Sequence, residues 1–471
     1  MKEDKFDFDF AIIGSGAAAF SAAIQASQYN TKIVMIEKGT IGGTCVNIGC
    51  IPSKTLIQAG NINHTIQHHL VQGLRSETKH IDFKSIISQK DELVFSLRQQ
   101  KYENLIDQYG FEFIRGEAKF ISSHTIEVND KRITSNIILI ATGASPFIPD
   151  ITGLKDVKYL TSTSAMNLEK IPNRMVVIGA GYIGLELGQM FHNLGSKVTL
   201  LKRNDRLLPS YDSEISKRVS SFFKGEHLKL LTGVTYKKIE QKGTMKRIHI
   251  TIQGEDQIIE ADEILVAAGR SPNTSNLNLK NTKVHFLGES GELLVNEYMQ
   301  TNVENIYAAG DVLLSAQFVY TAAHQGSIVA DHAFGTTKRK NNSSVIPSVI
   351  FTNPSIASVG ITEQTAREND IPIKTSILSM ENVPRAIINL NTEGLIKIVA
   401  EKNTNKILGV QVVAENAGEM IYAATLAVQF GLTIDNINET FAPYLTMAEG
   451  LKLTSLAFDK DPKNLSCCAG N

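Results

Sequence analysis

Apolar and polar positions along the chain set out one short pattern twice. Residues 6–13, Phe-Asp-Phe-Asp-Phe-Ala-Ile-Ile, alternate and then run apolar, which predicts a strand. Gly14-Ser-Gly16-Ala-Ala-Ala19 follows at once, and an Ala-rich run predicts a helix from Ala17 to about Gln28. A second strand, Lys32–Ile36, ends in Glu37, 23 positions after Gly14. In this order the glycines allow a tight turn and close approach to a pyrophosphate. The helix start favours the pyrophosphate charge, and the acid takes ribose hydroxyls. Gly14, Gly16, Ala19 and Glu37 are therefore expected to hold a dinucleotide.

The second copy begins with the strand Arg174–Ile178. Gly179-Ala-Gly181-Tyr-Ile-Gly184 then opens a helix running to about Asn193, and Lys197–Leu201 is the next strand. Lys202 and Arg203 stand where the acid would be. Basic residues there suit a ribose carrying a 2′-phosphate, which favours NADPH over NADH. The alternative is two surface cations at a strand end. Two different dinucleotides in one chain point to a flavin and a nicotinamide. Three further short strands end in glycine: Ile137–Gly143, Glu263–Gly269 and Asn305–Gly310, the last followed by Asp311. The first two would carry the chain between domains, and Asp311 would bring a carboxylate to a ribityl chain. Residues 338–345 read as a linker. Beyond it the pattern turns mixed α/β without a Gly-x-Gly signature. The expected division is 1–150 (first part of a flavin-binding domain), 151–270 (nicotinamide nucleotide domain), 271–339 (central part) and 340–471 (a C-terminal domain).

Composition narrows the class. Apolar residues make up 42% and charged ones 20% of 471 residues, with a formal net charge of −1. That gives no electrostatic case for nucleic acid or an anionic membrane. No apolar run approaches the roughly 18–20 residues that span a bilayer. The start, Met1-Lys2-Glu3-Asp4-Lys5, leads into a strand rather than an apolar signal core, so a cytoplasmic location is expected. The 4 cysteines fall as two close pairs, Cys45 with Cys50 and Cys467 with Cys468. In a reducing compartment such pairs read as metal-binding or redox-active.

The inner pair lies in Gly42-Gly43-Thr44-Cys45-Val46-Asn47-Ile48-Gly49-Cys50-Ile51-Pro52-Ser53-Lys54. With Pro52 in the first turn of a helix, Cys50 would sit just ahead of it, where a thiolate is favoured. Two buried cysteines in a Gly-rich turn are the alternative; zinc is disfavoured because no further ligand pair follows at zinc spacing. Glu186 is a charge in an otherwise apolar helical run and needs a cationic partner. His64, His68 and His69 have metal-compatible helical spacing, but no acid accompanies them in a metalloprotease pattern, so a solvated helix face is expected.

These motifs, in this order, resemble the flavin-dependent pyridine nucleotide–disulfide oxidoreductases over the whole chain. The resemblance implies an α/β fold with two interleaved FAD/NAD(P)-binding Rossmann-like domains and a C-terminal α+β dimerisation domain. It makes the chain an FAD- and NADPH-dependent homodimer, with Gly43, Thr44, Gly143, Gly269, Gly310 and Asp311 at the cofactors. It implies that Cys50 is the thiolate next to the flavin, Cys45 the exchange thiol, and Lys54 with Glu186 a pair beside the flavin ring. Disulfide-reducing members, such as dihydrolipoamide dehydrogenases, carry His-Pro-Thr-x-x-Glu near the end. Here the run is Tyr444-Leu445-Thr446-Met447-Ala448-Glu449, and all 11 histidines lie at or before His332. A phenol titrates near pH 10 and cannot shuttle protons as imidazole does. The end, Cys467-Cys468-Ala469-Gly470, instead resembles the mercuric reductase branch of that family. Adjacent soft thiolates suit capture of a soft metal ion. By that resemblance Hg(II), carried by small thiols, passes from Cys467 and Cys468 of a partner subunit to Cys45 and Cys50. Tyr182 and Tyr444 would assist its passage. Many such enzymes begin with a small Cys-x-x-Cys domain, and no such motif occurs here.

Overall fold

The computed structural model describes residues 6–78, 80–224, 228–288, 291–313 and 316–461. Statements of number or absence below refer to these residues. The first pattern folds as strand β1 (Phe8–Ile13), helix α1 (Ala17–Ser27) and strand β2 (Ile33–Glu37). Two helices follow, α2 (Gly43–Ile48) and α3 (Cys50–His68). The chain then adds β3 (Glu112–Arg115), β4 (Lys119–Phe120), β5 (Thr125–Val128) and β6 (Lys131–Ile140). The sheet order is β3-β2-β1-β6-β5-β4. β1 pairs in parallel with both β2 and β6, so Ile13 lies between Ile36 and Ile140. Phe10, Ala11 and Ile12 are fully buried, as a parallel strand covered on both faces requires.

The second pattern gives β7 (Arg174–Ile178), α4 (Tyr182–Asn193) and β8 (Lys197–Leu201). With β9 (Leu228–Leu231) and β10 (Glu263–Val266) they form a parallel sheet ordered β9-β8-β7-β10. A three-stranded antiparallel sheet, residues 235–261, packs its Ile239, Ile248 and Ile250 against Val176 and Ile178. The chain then returns to the first sheet: β11 (Ile306–Ala308) pairs in parallel with β6, and α5 (Val319–Phe334) packs along α1. The outgoing and returning crossings lie side by side, Ala144–Pro146 paired antiparallel with Arg270–Pro272. The two nucleotide folds are therefore interleaved, as expected.

Residues 348–414 form a five-stranded antiparallel sheet ordered 348–350, 355–360, 407–414, 395–401, 373–379. The helix Ala417–Gln429 covers it, burying Met420, Ile421 and Ala424. This is the α+β unit expected at the C-terminal end. Lys397, 1% exposed in this sheet, pairs with Asp212, Glu214 and Glu363 at 3.2, 3.1 and 2.6 Å. The bonds to Asp212 and Glu214 tie the sheet to the second nucleotide fold. No helix is long and apolar enough to cross a membrane.

Candidate active site

In each parallel sheet the site lies where neighbouring strands turn to opposite sides, at their carboxyl ends. At the first, Gly14 has φ +115° and a Cβ there would lie 2.3 Å from the Ala141 carbonyl oxygen. Only glycine fits, and the turn is pressed against the end of β6. A cavity of about 300 Å³ opens here, lined by Gly14, Ser15, Gly16, Glu37, Thr44 and Gly143 among others. Glu37 is held by two donors: Ser15 Oγ at 2.8 Å and the Gly39 amide at 2.7 Å. A fixed acid, a glycine turn and a helix start suit the nucleotide end of FAD. Ala19, fully buried on α1, faces the core. Gly143 and Gly310 have φ +65° and +82°, and the Gly310 amide donates to Gln325 Oε1 at 2.8 Å. Burial pushes the Asp311 carboxyl up, and Arg270, 3.4 Å away, pulls it back.

At the second fold the Gly179 turn is built alike: φ is +106° and a Cβ would lie 2.3 Å from the Ala267 carbonyl oxygen. Nothing stands within 4 Å of a Cβ at Gly181, so the turn faces open space. At Gly184 a Cβ would meet the Gly179 carbonyl oxygen at 2.0 Å. Beyond β8, Lys202 is half-buried and Arg203 exposed. Burial, then the Arg203 charge, lowers the Lys202 ammonium pKa. Two neighbouring cations beside an open glycine turn suit a phosphorylated ribose. Gly269, at φ +131°, starts the returning crossing.

The thiol pair sits where α2 meets α3. Gly42 and Gly43 have φ +98° and +65°, and a Cβ on Gly43 would come within 2.6 Å of Gly16 Cα. That contact sets the start of α2, with Thr44 and Cys45, directly on the first glycine turn. Asn47 ties α2 down by donating to the carbonyls of Ile41 and Gly43 at 2.8 and 2.9 Å. Cys50 is the first residue of α3, not a residue ahead of it, and Pro52 occupies its first turn. Both cysteines are half-buried free thiols. The Cys45 thiol donates to Cys50; that bond and burial push Cys45 up, while the same bond lowers Cys50. Lys54 adds to the lowering, burial and Glu186 oppose it, and the net brings Cys50 to about 7.

Lys54 lies one helical turn beyond Cys50, and its Nζ reaches Glu186 Oε2 at 2.8 Å. Glu186 is 6% exposed, and its other oxygen accepts from the Phe351 amide at 2.9 Å. The Lys54 ammonium also lies 4.6 Å from the centre of the Phe351 ring. So the acid read as needing a cation has one, supplied from 132 residues away. Tyr182 begins α4, one turn before Glu186, with its ring 6.0 Å from Phe318. Phe318 stacks in turn on Tyr320 at 5.2 Å. Burial pushes the Tyr320 phenol up, and the charges of Tyr182 and Cys50 add to it. Tyr102 packs against Gly42 and edge-on to Phe20 at 5.0 Å, and it feels both thiols.

Tyr444 is 45% exposed, in the turn before the helix Glu449–Leu456. Glu449 is buried, which raises its carboxyl pKa, and it accepts from the Leu445 amide at 3.3 Å. That bond steadies a turn in which Leu445 has φ +58°. Cys467 and Cys468 lie outside the described residues. His64 is half-buried rather than solvated, its ring 4.5 Å from His68. No group of three or more metal-ligating side chains forms among the described residues. Sequence reading missed Ser15, Tyr102, Phe351 and Tyr320. Ser15 alone had a local signal, a hydroxyl inside the glycine turn.

Comparison with known proteins bears on these geometries. The pyridine nucleotide-disulphide oxidoreductase profile matches residues 8–326, and its dimerisation domain matches residues 346–455. A mercuric reductase of Staphylococcus aureus is 55% identical over 98% of this chain and 85% of its own length. One from Streptomyces lividans is 44% identical over 98% of both chains. Among solved structures, the HOCl-induced flavoprotein disulfide reductase RclA of Escherichia coli, as a Cu(II) complex, superposes with a TM-score of 0.86. It is 28% identical and covers 96% of this chain and 99% of its own.

Proposed function

This chain belongs to the pyridine nucleotide-disulphide oxidoreductase family, and from that premise we propose that Cys45 and Cys50 carry its reduction of Hg(II). The activity is that of an NADPH-dependent flavoenzyme acting on Hg(II). FAD and NADPH, when bound, supply the electrons, so that NADPH and Hg(II) give NADP+, Hg(0) and one proton. Gly14, Gly16, Ala19, Glu37, Gly43, Thr44, Gly143, Gly310 and Asp311 would hold FAD. Gly179, Gly181, Gly184, Lys202, Arg203 and Gly269 would hold NADPH.

The observation that carries the mechanism is the thiol pair beside Lys54. With Cys50 near 7 and Cys45 well above it, Cys45 keeps its proton at neutral pH while about half of Cys50 is thiolate. The Cys50 thiolate displaces one carrier thiolate from Hg(II). Cys45 displaces the second, and its proton leaves with that carrier thiol. The metal is never free, because each sulfur that leaves is replaced. Lys54 favours the thiolate, and Glu186 keeps Lys54 in place. Cys467 and Cys468 of a partner subunit capture Hg(II) first, a role that rests on sequence. Tyr182 and Tyr444 assist its passage. The dimerisation-domain match supports the homodimer this needs. Thiols that must stay reduced between turnovers fit a cytoplasmic setting.

Anaerobic NADPH oxidation with HgCl2 and excess thiol, with detection of mercury vapour, tests the reading. Cys45→Ala and Cys50→Ala should each abolish vapour release while FAD stays bound. Replacing both terminal cysteines should mainly slow turnover of Hg(II) presented by bulky thiols. A second reading, reduction of organic disulfides, is favoured by the likeness to RclA, a flavoprotein disulfide reductase. Faster NADPH oxidation with lipoamide or glutathione disulfide than with Hg(II) would establish it instead.

A further inference from the structure

Tyr211 belongs to none of the motifs. It is 3% exposed, and its hydroxyl lies 2.9 Å from the Tyr182 hydroxyl and 3.1 Å from Ser348 Oγ. Three hydroxyls thus run in line from the start of α4 to the strand Ser348–Ile350. A buried phenol with no partner would lose free energy, and here both partners are present. Burial also pushes the Tyr211 phenol far up, so its proton stays on at every working pH.

The anchor itself is well held. Arg206 Nη2 donates to the Tyr211 carbonyl at 2.9 Å. The next residue, Asp212, is 4% exposed; its amide donates to Gln411 Oε1 at 3.0 Å, and its carboxylate accepts from Gln411 Nε2 at 2.8 Å. Tyr182 is only half-buried and directly follows the Gly179-Ala-Gly181 turn. A rigid, buried hydroxyl therefore grips a less enclosed one at the mouth of the second nucleotide fold.

We propose that Tyr211, backed by Ser348, is a positioning residue that holds Tyr182 in place between the second glycine turn and the Phe318–Tyr320 stack beside Cys50. This rests on the role given to Tyr182 above. Its effect passes through Tyr182 alone, because Tyr211 is sealed from the site. The bond from Tyr211 to Ser348 also makes the C-terminal sheet part of the support.

Tyr211→Phe keeps the ring and removes one hydroxyl; Ser348→Ala, Tyr182→Phe and the Tyr182→Phe/Tyr211→Phe double variant complete the set. On the purified FAD-bound enzyme, kcat and KM for thiol-bound Hg(II), NADP+ affinity from flavin absorbance, and Tm are measured. Tyr211→Phe should lower kcat or NADP+ affinity about 2- to 10-fold, as expected for losing one hydrogen bond. The double variant should be no worse than Tyr182→Phe alone, because the anchor then has nothing to hold. Ser348→Ala should move the same quantities in the same direction by less. If Tyr211→Phe matched wild type in both, or if the two single losses multiplied in the double variant, the anchoring role would be wrong. Should Tyr211→Phe fail to fold, the Ser348→Ala and Tyr182→Phe pair and their double variant decide by the same criterion. A wild-type enzyme inert toward Hg(II) would overturn the functional reading, while the NADP+ measurements would still decide the anchoring.

Discussion

The two nucleotide folds begin alike and diverge at the third position of the turn. Gly14 and Gly179 each press against a carbonyl at the end of a neighbouring strand, Ala141 and Ala267, at the same 2.3 Å for an added Cβ. At the third position the second fold needs Gly184, since a Cβ there would meet the Gly179 carbonyl oxygen at 2.0 Å. The first fold accommodates Ala19, fully buried. Its tight glycine lies elsewhere, at Gly326 of α5, where a Cβ would meet the Ala18 carbonyl oxygen at 2.1 Å. Close approach is thus demanded within the turn itself at the second fold, and by the packing of α5 on α1 at the first. The folds part again after their second strands. One ends in an acid gripped by Ser15 and Gly39, the other in a half-buried lysine beside an exposed arginine.

The sharpest way to separate the folds is to block each turn. Gly14→Val should give protein purified without FAD. Gly179→Val should retain FAD yet show no flavin bleaching with NADPH. Loss of FAD from both, or from neither, would undo the assignment of one dinucleotide to each fold. Next in size is the charge contrast. Lys202→Glu with Arg203→Glu should raise KM for NADPH about tenfold or more and leave NADH little changed, because charge-assisted bonds to the 2′-phosphate are lost. An equal effect on both nucleotides would make the pair mere surface cations.

A smaller effect is expected in the stretch that only the first fold leads into. Lys54→Met removes the cation that lowers Cys50. The thiolate is the deprotonated form, so its midpoint should climb above about 7, and alkylation of the reduced enzyme at pH 7 should slow. Iodoacetamide labelling across pH measures this; an unmoved midpoint would leave the Cys45 bond as the sole cause. The mildest test is Ala19→Gly, which should cost about 1 kcal/mol of stability with FAD still bound. Gly184→Ala should instead weaken NADPH binding.

Much of this fold was legible because its signals are local. Arg174–Ile178 and Lys197–Leu201 came out with the bounds read from the sequence, since buried parallel strands are unbroken apolar runs. α2 was not read. Thr44, Cys45, Val46 and Asn47 are weak helix formers, and the helix holds by resting on Gly16 and by the bonds of Asn47. The thiol pair could be seen, but not which sulfur would hold the proton. That depends on which thiol donates and on where Lys54 and Glu186 stand.

The sequence by itself determined the two strand–glycine–helix units, the spacing of Cys45 from Cys50, and Glu186 as a charge in need of a partner. Glycine, apolar periodicity and short spacing act over a few residues and survive without a fold. Only the tertiary structure decided that the partner is Lys54, that Ser15 holds Glu37, and that Tyr211 links Ser348 to Tyr182. Each joins residues 22 to 137 positions apart, and such bonds form only once packing has fixed both ends.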